Sequence, residues 1–242
     1  MAHPTYADFL RLPELFDTIV PNTPPERRRV HAAEHFFLIA HQTSELWLKQ
    51  VLLDVAEAVD AAAERDLEQA AQYVRRAAEA MHLLAAHVAI LRHLQPADFA
   101  EFRPWFGDAS GAQSAQFHGL RRELGMDGHP SPLYRELQEA VAERSTTLER
   151  VFRQAPHGGP LFLLADAMAE LSQAAWRWQL DHLETVSRVI GAAGGTGGTS
   201  GADHLAARLS APFPELWAAR SRLHRTDSDG GMECPHQTGR SW

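Results

Sequence analysis

The chain has 242 residues, 45% of them hydrophobic, the size class of one large domain or at most two. Its net charge of −8 and pI near 5.9 exclude the clustered positive charge on which nucleic-acid affinity rests. The single cysteine, Cys234, excludes an intramolecular disulfide and fits a reducing, cytoplasmic setting, and no apolar run or leader pattern points to a membrane.

Helical periodicity dominates from the start. Residues 1–24 read as an N-terminal segment, followed by a long amphipathic helix over Pro25–Ala63. A second helix is predicted over Leu67–His93, stopping before Pro96, and a short one over Pro96–Arg103 with proline in its first turn. Phe106–Gly111 reads as a turn, Gln113–Leu124 as a shorter helix and Gly125–Pro132 as a loop. Leu133–Phe152 is predicted as one helix, and Leu161–Ile190 as the last long one. The glycine-rich stretch Gly191–Gly201 cannot be crossed by a helix, a short helix over Asp203–Leu209 follows, and residues 226–242 form a polar tail. With no strand pattern and no internal repeat, the predicted class is all-α: one domain over 1–225, built as a bundle of antiparallel helices.

Two histidines lie where imidazoles are unexpected. Phe37, His41, Ser44, Leu48 and Leu52 share one helical stripe, so His41 points toward a core or pocket. Trp178, His182, Val186 and Val189 share another face, so His182 also projects into apolar surroundings. Each is open to two readings: a satisfied core histidine, or a ligand facing an apolar slot, as a proximal haem histidine does. No Cys-x-x-Cys-His occurs, which excludes covalent haem attachment.

Other patterns compete. His31-Ala-Ala-Glu34-His35 matches an inverted zinc-peptidase motif, in which the histidines bind zinc and Glu34 acts as base, but no third ligand is evident. Glu79-x-x-His82 resembles half of a di-iron site whose other copy, Glu233-x-x-His236, lies in the tail. The glycine loop lacks the residues of a phosphate-binding loop and reads equally as a connector or as a lid with Thr196 and Thr199 hydroxyls. Arg103, among Phe99, Phe102 and Trp105, either pairs with a surface acid or clamps an anion.

Taken together these segments resemble the tryptophan 2,3-dioxygenase family. Phe37-Leu-Ile-Ala-His41-Gln-Thr-Ser-Glu-Leu-Trp-Leu-Lys49 is similar to its distal helix, and Phe102-Arg103 with Ser110-Gly-Ala-Gln-Ser114 to its substrate-carboxylate segment. Trp178 and His182 through Gly191 resemble the proximal segment, Gly195-Thr196-Gly-Gly-Thr-Ser-Gly201 the closing loop, and Tyr6-Ala-Asp-Phe9-Leu10 the N-terminal segment. The similarity runs in order over residues 5 to 217.

The resemblance implies a helical bundle around a non-covalent b-type haem, with His182 as axial iron ligand, Trp178 beside it, and Ser110 and Gly111 near the haem edge. It implies O2 as co-substrate and L-tryptophan, or a substituted tryptophan, as substrate. His41 would hold the indole N–H, Arg103 the carboxylate and Thr196 the ammonium, with Phe37 against the ring and Phe99 binding substrate near the carboxylate clamp. Tyr6, Phe9 and Leu10 would wall the pocket of a neighbouring subunit in a homotetramer or homodimer. The expected reaction is indole C2–C3 cleavage to N-formylkynurenine, the alternative being single-oxygen insertion to an oxindole. Phe99 stands where the family usually has tyrosine, which implies a lost hydroxyl near the carboxylate clamp, and Ala112 where it usually has phenylalanine, which implies a roomier pocket. The stretches between Gln116 and Tyr134 and before the last long helix are also shortened.

Overall fold

A computed structural model describes residues 3–155 and 159–224. The tail expected from 226 onward, with Cys234, lies outside them. Every regular element among the described residues is helical.

Two short helices, α1 (Tyr6–Leu10) and α2 (Leu12–Phe16), form an N-terminal arm. Thr5 and Asp8 cap α1 reciprocally, and Arg11 at φ 55° turns the chain between the two. The arm packs mainly on itself and leaves Tyr6 (77%), Phe9 (76%) and Phe16 (60%) exposed.

The frame is three long helices. The first, α3 (Arg28–Ala63), is 36 residues long, about 54 Å at 1.5 Å per residue. A tight turn with Arg65 at φ +67° leads into α4 (Leu67–Val88), whose N-cap Asp66 accepts from the Gln69 amide at 3.0 Å. The third is α9 (Gly159–Ile190). α4 is the middle of the three, and α3 and α9 both pack along it. Buried alanines line these contacts: Ala58 and Ala62 on α3, Ala70, Ala71, Ala77 and Ala78 on α4, Ala167, Ala174 and Ala175 on α9. Small side chains let the helices approach closely, and Met81, Leu84, Met168 and Leu171 fill the remaining space.

α3 and α4 are antiparallel, as the pairs His87–Ala40 (2.9 Å) and Arg76–Asp54 (3.1 Å) require. α4 and α9 are not. The Arg188 guanidinium donates to the Arg92 carbonyl at 3.2 Å, so both helices bring their C-terminal ends together and run the same way. The all-antiparallel expectation is corrected here. The long connection through α5 (Pro96–Phe102), α6 (Ala115–Glu123), α7 (Pro132–Glu143) and α8 (Leu148–Arg153) returns the chain to the start of the bundle before α9 begins.

Three further expectations change. The predicted helix over Leu133–Phe152 is two helices, broken where Ser145 takes φ +50°. The end of the second predicted helix, Ala89–His93, is a 3-10 turn. The short helix predicted over Asp203–Leu209 is α10 (Ala202–Ala206), and a further helix not anticipated, α11 (Pro214–Arg222), is the last element among the described residues. It is held by Ser172, which donates to the Pro212 carbonyl and accepts from Trp217 Nε1, both at 2.8 Å, and by fully buried Phe213.

Candidate active site

Because α3 and α9 scarcely touch, a gap opens between them over α4. α6 lies across it, with Phe117 at 5.4 Å from the Trp178 ring on α9 and Gly119 against Leu52 of α3. A Cβ at Gly119 would sit 3.1 Å from Leu52 Cδ1, so the absence of a side chain sets how near α6 comes.

His41 and His182 face this gap from opposite helices. The His41 ring is accessible, yet the surrounding protein holds its pKa below the ordinary 6.5. Burial is the main cause, with a smaller contribution from His87, while the bond to Phe37 works the other way. Accessible and surrounded together mean a ring that looks into an internal cleft. His182 is pushed down to about 4, first by burial and then by His41, so each imidazole is within electrostatic reach of the other. Both are neutral at physiological pH.

Their hydrogen bonds differ. His41 Nδ1 lies 2.8 Å from the Phe37 carbonyl. A carbonyl only accepts, so Nδ1 carries the proton and Nε2 is left as an acceptor. His182 has no hydrogen-bond partner among the described residues. Trp178 stacks on it at 5.5 Å, with an indole N–H that is buried and unpartnered. An orphaned donor beside a free neutral imidazole is costly unless something absent from the chain completes it.

An aromatic wall adjoins His41. Phe37 lies 3.8 Å from the His41 ring, 5.0 Å from Phe106, 5.6 Å from Phe102 and 5.8 Å from Phe99. Phe106 was not singled out in the sequence, where it reads as the start of a turn. Its spacing from Phe99 and Phe102, seven and four residues, was the available signal.

Beyond this wall lies a cleft of about 560 Å³, lined by Phe99, Arg103, Asp108, Ile190, Thr196 and Gly197 among others. Neither His41 nor His182 lines it; Phe99 connects the two spaces. Arg103 is half-buried, has its guanidinium 6.0 Å from the Phe99 ring centre and donates to the Gly194 carbonyl. The glycine loop is thus folded over Arg103. Gly197 at φ +63° is required there, since a Cβ would lie 2.8 Å from that of Ser110. Ser110 itself caps the Gly111–Gln113 turn, its hydroxyl accepting from the Ala112 amide at 3.3 Å, and Gly111 faces open space. Arg103, Thr196, Phe99 and Ser110 are therefore brought together with the loop, and Phe37 with His41. Tyr6, Phe9 and Leu10 are exposed and do not form a wall of their own chain's site.

The His31–Glu34–His35 motif has a different job. Buried Glu34 accepts from the backbone amides of Asn22 at 2.9 Å and Thr23 at 2.8 Å, and His31 Nδ1 donates to the Thr23 carbonyl at 2.7 Å. It anchors the base of the N-terminal arm. With Glu34 and His31 committed to the backbone in this way, the motif is not arranged as a zinc site, and among the described residues no group of three or more His, Cys, Asp or Glu could hold a metal ion. Glu79 and His82 are exposed on α4, and Glu233 and His236 lie outside the described residues.

Comparison with known proteins agrees with this arrangement. The sequence profile described as "Tryptophan 2,3-dioxygenase" matches residues 1–136 and 133–223. A protein of that name from Caulobacter vibrioides is 31% identical, the match covering 90% of this chain and 98% of the relative. One from Exiguobacterium sibiricum is 28% identical (90% and 92% covered), and one from Kineococcus radiotolerans 30% (90% and 91% covered). A profile match that takes in every element from α1 to α11, on a frame that sets two neutral imidazoles across one gap, makes this chain a member of the tryptophan 2,3-dioxygenase family.

Proposed function

We propose that the chain is an oxidoreductase that cleaves the indole C2–C3 bond of L-tryptophan or a close derivative with O2, giving N-formylkynurenine, and that it uses a b-type haem. The observation that carries this reading is the pair His41 and His182: one tied to its own helix with Nε2 free, the other neutral and untied.

The donor set fits a haem. A neutral imidazole on a rigid helix, with no competing partner among the described residues and in an apolar gap, would suit an iron ligand, and the buried Trp178 N–H beside it has capacity for an acceptor. His182 would hold the iron, Trp178 would pack beside it, and Ser110 and Gly111 would lie near the edge of the group. When bound, the haem supplies the redox chemistry that brings dioxygen to the indole.

The chain's own residues orient the substrate. Neutral His41 can accept the indole N–H at Nε2, because Phe37 holds the proton at Nδ1. Phe37, Phe99 and Phe106 give the ring an apolar face. The Arg103 guanidinium suits a carboxylate and the Thr196 hydroxyl an ammonium, with the glycine loop excluding water over both. The exposed Tyr6, Phe9 and Leu10 are suited to wall the pocket of a second copy in a homotetramer or homodimer.

The test is mass spectrometry of the product formed from tryptophan by haem-loaded protein under isotope-labelled O2. Two labelled atoms in a ring-opened product are expected. One labelled atom in an oxindole would replace ring cleavage by the single-oxygen reaction, and a protein that takes up no haem would overturn the proposal.

A further inference from the structure

The Ala40 carbonyl, immediately before His41, carries an unusual load. It occupies the regular helical acceptor position for the Ser44 amide, and it also accepts from Ser44 Oγ at 2.8 Å. A third donor arrives from another helix: His87 Nε2 on α4, at 2.9 Å. Since a carbonyl only accepts, this nitrogen carries a proton. Side-chain donors inserted at a helical carbonyl tilt it outward and bend the helix locally. This load falls one residue before the ring that faces the gap.

His87 has no other hydrogen-bond partner among the described residues, and it is the only α4 side chain that bonds α3 at this height, Arg76–Asp54 being well down the bundle. It is half-buried and near enough that a charge on it disfavours one on His41. His41 is thus restrained twice: its ring by the Phe37 carbonyl, its backbone by α4. A donor aimed at the substrate N–H acceptor's own peptide group bears on direction more than on stability, because orientation of the acceptor decides the strength of the hydrogen bond it makes.

We infer that His87 is a positioning residue for the oxygenation of the indole: from α4 it fixes the peptide carbonyl before His41, and so aims the free Nε2 of His41 at the indole N–H. The inference rests on the reading of His41 as the acceptor of that N–H.

The experiment compares L-tryptophan with 1-methyl-L-tryptophan, which has no N–H to donate. Haem-loaded protein is assayed with His87→Leu, which removes the donor at similar volume, and with His87→Gln, which keeps one. Each is made in the parent and in a His41→Ala background. His87→Leu should raise KM for tryptophan by about threefold to tenfold, the size of one hydrogen bond's contribution, and leave 1-methyltryptophan nearly unchanged. His87→Gln should restore most of the preference, and in the His41→Ala background His87→Leu should add nothing. Equal losses for both substrates, or the same loss with and without His41, would make His87 a purely structural tie and overturn the inference. If His41→Ala leaves the preference for tryptophan intact, the reading of His41 fails instead. If His41→Ala abolishes the preference and His87→Leu does not alter it, only the role of His87 fails. Should His87→Leu not fold, the ratio of the two substrates with His87→Gln and His87→Asn, a shorter donor, decides the same question.

Discussion

The two sides of the cleft are built by opposite means. On the α3 side the histidine is fastened: Phe37 holds its Nδ1 proton, the Phe37 ring lies against it, and His87 grips the preceding carbonyl. On the α9 side, among the described residues, only packing holds His182, and the neighbouring Trp178 N–H is unsatisfied as well. On the proposed reading, the fastened side is the one that presents a fixed acceptor, and the side with open donors and acceptors is the one an outside ligand would complete.

Changes to either side separate these roles. The largest effect is expected from His182→Ala. Even outer partners of metal ligands cost roughly ten- to hundredfold, so loss of the ligand itself should cost more, with the Soret band of hemin-loaded protein lost or reshaped. Arg103→Ala comes next. Loss of a desolvated charge-assisted contact costs on the order of 2–5 kcal/mol, so kcat/KM for tryptophan should fall roughly a hundredfold while the haem spectrum stays nearly the same. An unchanged substrate affinity would mean that Arg103 serves only the loop carbonyl it contacts here.

The smallest effect concerns neither side of the cleft but the anchor beneath the arm. Burial raises the pKa of Glu34, but the hydrogen bonds from Thr23 and Asn22 outweigh it and hold the group below its usual 4.5. Its stabilisation is complete above that unfolded value and is lost as pH falls through the lower folded one. Glu34→Gln should therefore cost about 1–3 kcal/mol in urea unfolding near pH 7, and the deficit should shrink on acidification. A deficit independent of pH would mean that the carboxylate charge is not what holds Asn22 and Thr23.

The long helices were legible because α3, α4 and α9 repeat apolar positions over many turns, and α9 ends at a plain stop, Gly191. The break between α7 and α8 was not, since it rests on Ser145 at positive φ with no glycine or proline to mark it. α11 carried its signal in Pro214, but the segment is short and depends on Phe213 and Ser172 from tertiary packing. In the site, Phe37 was legible from its one-turn spacing to His41. His87 was not, because its role follows from the register of α4 against α3, which no local pattern records. The actual role of the His31–Glu34–His35 motif was not legible for a related reason: Glu34 bonds backbone amides of Asn22 and Thr23, and these have no sequence signature.

The parallel course of α4 and α9 bears on how the molecule assembles. α3 and α4 are joined by a turn of a few residues, so their contacts are local and low in loop-closure entropy. α9 can join them only after the chain has traversed α5 to α8 and come back, which makes its docking the most non-local event in the fold. The gap between His41 and His182 does not exist until that event. Capture of the proposed haem would therefore belong to the end of folding, and a group held by His182 would stabilise the helix that arrives last.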